Sequence, residues 1–124
     1  MQAAMAMVVT PDEQYQAAYV RARAELMRLQ AEARRQAQDA RLSEAEHMAA
    51  ELAVLELADQ IAELDAAHNV LRHRHQPGVN PPSDQMVEES IQLAEDLAEV
   101  IADAATLDAA LDGVIGLVDA WGKL

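Results

Sequence analysis

Cysteine is absent, which excludes a disulfide framework and any thiolate metal site. Phenylalanine is absent too, and the aromatic side chains come down to Tyr15, Tyr19 and Trp121. Apolar residues make up 52% of the chain, but much of that share is alanine, which buries little area per residue. A core of this kind lets helices approach closely and stabilises a lone copy only thinly, so a homo-oligomer is expected. No run approaches the ~18 apolar residues of a membrane span. The opening MQAAMAMVVTPDE lacks the basic stretch of a signal peptide, and residues 1–9 read as a tail. A cytoplasmic protein without a membrane partner is the expectation.

Basic residues are also scarce, and the net charge is −13. Residues 1–41 carry six Arg against five acids, residues 42–76 two Arg against seven, and residues 77–124 a single Lys against ten. Such a surface repels phosphate backbones, which argues against direct nucleic-acid binding and suits a basic protein partner. No Gly-rich phosphate loop and no Ser/His/Asp or Cys nucleophile context is visible.

Neither proline nor glycine occurs between Pro11 and Pro77. The 65 residues between them are rich in Ala, Glu, Leu, Arg and Gln, which dictates helix. TPDE supplies a start, with Thr10 as N-cap, Pro11 at the first helical position and Glu13 completing a capping box. SEAE offers a second box at Ser43 and Glu46. Two readings stay open for residues 10–76: one rod of roughly 100 Å, or two helices of a hairpin that break near residues 42–43. Pro77 restricts Gln76 to extended geometry and ends the helix near His75. Residues 77–83 form a stiff connector, and Ser83 caps a C-terminal helical segment over residues 84–122, which Thr106 divides if it acts as a cap. The fold class is therefore all-α: three or four helices in a single domain, a long N-terminal rod or hairpin packed with the C-terminal segment and completed by oligomerisation.

Tyr15, Tyr19, Ala22, Leu26, Leu29, Ala33 and Ala40 follow a spacing of mostly four and three, a narrow seam for another helix. Tyr15, Tyr19, Leu26 and Leu29 are read as its self-association core. A broader stripe follows at Met48, Leu52, Leu55, Leu57, Ile61, Leu64 and Leu71, and its width predicts burial on more than one side. Arg21, Arg28 and Arg35 alternate with Glu25, Glu32 and Asp39 and read as a ladder of intrahelical ion pairs. Glu88, Glu95, Asp96, Glu99 and Asp103 have no Lys or Arg between Ser83 and Gly122 to pair with. They are read as an acidic interaction surface, for a basic partner or for the Arg-bearing first helix.

His68, His73 and His75 crowd the end of the second segment, where protonated His and Arg suit the helix dipole. His73 and His75 lie ~200° apart on a helix and cannot share an ion. His68, between Ala67 and Leu71, is expected to be half buried beside Asp65. Glu44/His47 and Asp65/His68 have the spacing of carboxylate-bridged di-metal motifs, but sit ~31 Å apart if one helix carries both. No metal or cofactor is expected.

The stretch QMVEESIQLAEDLAEVIADAATLDAALDGVIGLVDAWG resembles the paired metal-binding helices of MazG-like nucleotide pyrophosphohydrolases. In that family an E-x-x-E helix and an E-x-x-D helix hold Mg²⁺, which organises a triphosphate for attack by water. The resemblance implies Mg²⁺ ligands at Glu89 and Asp112, with Gln92 and Ala109 standing where two further carboxylates belong. A partial match at Glu56 and Asp59 competes with it. The two function classes are thus a non-enzymatic helical interaction module (adaptor, small chaperone or charge mimic) and, as the alternative, a pyrophosphohydrolase or a degenerate relative.

Overall fold

A computed structural model describes residues 9–76 and 78–124 of the chain. Four helices fill it: α1 (Pro11–Ala37), α2 (Glu44–Arg74), α3 (Asp84–Asp103) and α4 (Leu107–Gly122). Both capping boxes form. The Thr10 and Ser43 hydroxyls accept from the Glu13 and Glu46 amides, and each glutamate side chain accepts from its cap's amide. Ser83 and Thr106 cap α3 and α4 in the simpler way. Of the two readings of residues 10–76, the hairpin is the one formed. The intervening loop is held by Asp39, whose carboxylate accepts from the Arg41 amide and guanidinium and whose carbonyl meets His47 Nε2. The expected tail covers residues 1–9, of which residues 1–8 lie outside the described part, as does Pro77. The helix preceding Pro77 ends at Arg74, with His75 as its C-cap. Gly78 then turns the chain at φ +77°, a conformation that favours glycine.

The helices close a bundle in which α1 packs on α2 and α3, and α4 packs on α2 and α3. One core runs through all four, from Ala22, Leu26 and Ala33 of α1 to Leu57 and Leu64 of α2, Leu97 of α3 and Val114 and Trp121 of α4. Gly113 of α4 sits against α3; a Cβ there would overlap the Val100 side chain. No helix among the described residues is long and apolar enough to cross a membrane.

This packing corrects two expectations. The seam assigned to a second copy is used within the chain: Tyr15, Leu26 and Leu29 are buried there and Tyr19 is half buried. A 4-3 spacing marks a helical neighbour without saying which chain supplies it, and here α2 and α3 supply it. The broad α2 stripe is also not buried throughout. Leu57, Ile61, Leu64 and Leu71 enter the core, whereas Met48, Leu52 and Leu55 are 57%, 60% and 64% exposed.

Candidate functional site

Those exposed residues belong to a second stripe on the back of α2. Met48, Leu52, Leu55, Ala62, Ala66 and Val70 recur at helical spacing, interrupted on the same line by Asp59. At 3.6 residues per turn their mean direction lies roughly 180° from that of Leu57, Ile61, Leu64 and His68. The stripe thus faces away from the core. Glu44, Glu51, Glu56 and Glu63 flank it; these and Asp59 are exposed, and none makes an ion pair among the described residues. Arg34 of α1 borders a shallow groove with Glu51, Val54 and Leu55, yet forms no ion pair with Glu51. On the other edge, Ala67 and Val70 of α2 meet Val118 and Gly122 of α4 in an open groove whose acids are Glu56, Asp59, Glu63 and Asp119. Lys123 at its end is occupied by Asp119 at 3.0 Å.

A polar cluster closes the end of the bundle away from the α1–α2 loop, and all three aromatic side chains of the protein meet in it. Trp121 Nε1 donates to the Tyr15 hydroxyl at 3.3 Å, and that hydroxyl lies 3.0 Å from His68 Nδ1. Indole is only a donor, so the Tyr15 oxygen accepts from Trp121 and its own proton is free to go to Nδ1 of a neutral imidazole. Tyr19 stacks flat on the His68 ring with centroids 3.6 Å apart. Its hydroxyl donates to Asp65, which also accepts from Arg23 Nε at 3.0 Å and Nη2 at 3.3 Å. Burial lowers the His68 pKa, with Arg72 nearby acting in the same direction. Burial would raise Asp65, but the hydrogen bonds from Arg23 and Tyr19 outweigh it and hold the carboxyl below its ordinary value. Tyr19 is pushed up to about 12 by burial and by the Asp65 carboxylate. The Tyr15 hydroxyl and the Trp121 indole N–H are both hydrogen-bonded. The cluster's role is to lock the α1, α2 and α4 ends together.

The other residues singled out in the sequence are dispersed. Glu88, Glu95, Glu99 and Asp103 are exposed on the back of α3, with Asp96 half buried and accepting from Gln92. Arg21 reaches Glu95 at 3.9 Å, a long pair between half-exposed groups. That contact takes Arg21 out of the intrahelical ladder, whose remaining rungs form between Arg28 and Glu25, and between Arg35 and both Glu32 and Asp39. The Arg35 hydrogen bonds bring the Glu32 pKa down to about 2. Glu89 and Asp112 do not come together. Asp112 shares a groove with Asp96 and Glu99, seven to ten residues along α3 from Glu89, or roughly 10–15 Å. Among the described residues no three His, Asp or Glu side chains are grouped to hold a metal ion. His47 is engaged by the Asp39 carbonyl, and Asp65 by Tyr19 and Arg23.

Sequence reasoning missed that the α2 stripe is two stripes, although its unusual width was the signal. It also missed Trp121 as the partner of Tyr15. No protein-family model, curated protein or solved structure matches this chain.

Proposed function

We propose that the protein is a non-enzymatic helical interaction module that binds a partner protein through an acidic surface. One observation carries this reading: the back of α2 holds a row of large exposed apolar side chains, Met48, Leu52 and Leu55, on a helix already anchored by its other face. Apolar residues scattered singly over a surface need no explanation, but a continuous row rimmed by charge marks a protein contact. The acidic surface first read on α3 is the weaker part, because it contains only Ile91 as a partly exposed large apolar residue and is otherwise solvated.

A photo-crosslinking residue placed at Leu52 in cells of the native host tests the proposal against the same residue placed at Glu99. Discrete adducts specific to position 52 are expected. Adducts that are equal at both positions, or absent at both, count against it. So does Mg²⁺-dependent turnover of a nucleoside triphosphate by the purified protein, which would restore the enzymatic alternative.

A further inference from the structure

Resting on that reading, we infer the chemistry of the occupant: an amphipathic helix whose apolar stripe is flanked by Lys or Arg and lies along the outer face of α2. The stripe from Met48 to Val70 runs about six turns, or ~33 Å, which suits a helix better than a small ligand. Its positions 48, 52, 55, 59, 62 and 66 alternate by four and three, the spacing at which one helix receives the side chains of another. Its relief is uneven. Met48, Leu52 and Leu55 stand out, while Ala62 and Ala66 leave a shallow floor, so a partner seats its bulky residues over the alanines and small ones against the leucines. Asp59 lies on the centre line between these halves. A single Lys or Arg of the partner opposite it would fix the register, as a lone polar residue does in a coiled-coil seam.

Charge decides between this partner and a second copy. Glu44, Glu51, Glu56, Asp59 and Glu63 have no ion-pair partners among the described residues. Two copies packed along this face in either direction bring the central acids Glu56, Asp59 and Glu63 close to those of the other copy, and each copy carries −13 overall. Like charges at such edges oppose pairing, whereas basic flanks convert the same acids into attraction. The only Lys or Arg side chains on α2, Arg72 and Arg74, lie beyond Val70 at the far end of the stripe.

The test uses the full chain and three fluorescent helical peptides of about six turns. One has leucines at 4-3 spacing with lysine flanks, one the same leucines with glutamate flanks, and one the lysines with the leucine positions scrambled. Anisotropy is expected to show the first binding at least roughly tenfold tighter than either control and weakening as salt screens the flanks. The double variant Leu52→Ser/Leu55→Ser should lose that preference while keeping its helical circular dichroism, and Glu99→Gln on α3 should not. Equal binding of all three peptides, or of none, overturns the inference. So does a dimer in sedimentation that Leu52→Ser/Leu55→Ser dissolves, since that assigns the face to a second copy. If crosslinks from position 52 persist while no peptide binds, the partner's chemistry is wrong and the interaction reading survives.

Discussion

The two faces of α2 are built from the same residue types and meet opposite fates. On the inner face Leu57, Leu64 and Leu71 are buried, and His68 is fixed between Tyr15 and Tyr19. On the outer face Leu52 and Leu55 stand in solvent beside acids without ion-pair partners. The contrast with the middle and end of α1 is as clear, because Glu25 and Glu32, and Asp39 in the loop that follows, are each matched to an arginine of the same hairpin. The difference teaches that an exposed leucine on α2 is not surplus core. The core is already closed by four helices without it, and that is the ground for the proposed contact.

The largest expected effect tests the inner face at its end. Trp121→Ala removes a fully buried indole and leaves the Tyr15 hydroxyl without its donor, and should destabilise by about 3–5 kcal/mol in denaturant titration. A loss under about 1 kcal/mol would mean that the cluster does not hold the bundle. Next, Leu64→Ala should cost about 2–5 kcal/mol, whereas Leu55→Ala should stay within about 0.5 kcal/mol. Equal losses would erase the distinction between the faces.

The third effect is a pH dependence. The His68 pKa is lowered by burial, so the unfolded chain binds a proton more readily than the folded one. Stability from this group is complete above the unfolded value of about 6.5 and is lost as pH falls below it toward the folded value. His68→Asn, whose side-chain oxygen can still accept from Tyr15, should flatten the melting temperature between those limits. An unchanged slope would show that His68 does not titrate with unfolding. The smallest effect carries the contrast to α4. Gly116→Ala meets open space and should stabilise by about 0.5–1 kcal/mol. Gly113→Ala, which meets Val100, should gain nothing or lose about 1 kcal/mol. Thermal melts of the pair would settle whether α4 also has a tight side and a free side.

Helix boundaries were legible because they are local. Thr10, Ser43, Ser83 and Thr106 satisfy amides within their own first turns, and those turns are written in consecutive residues. The two roles of the α2 stripe were not legible. Periodicity marks where apolar residues lie around a helix, but the number of neighbours depends on helices elsewhere in the chain. For the same reason the spacing of Tyr15 and Tyr19 does not distinguish a second copy from α2 and α3. Asp65 and His68, spaced three apart, were readable as sharing a face, yet nothing near them announces Trp121, which is 106 residues from the Tyr15 it binds.

Helix α2 runs 24 residues back from His68 to Glu44, while α4 runs only 14 from Trp121 to Leu107. Tyr15 bonds both His68 and Trp121 and so sets them level at one end. At the other end the α1–α2 hairpin outreaches α4 by ten residues, roughly 15 Å. The only indole chromophore therefore reports on the short, fully packed end and is blind to the projecting tip. Tryptophan emission and far-ultraviolet circular dichroism should consequently disagree on early heating: ellipticity falls first as the tip frays, while the indole spectrum stays that of a buried ring until the bundle itself opens.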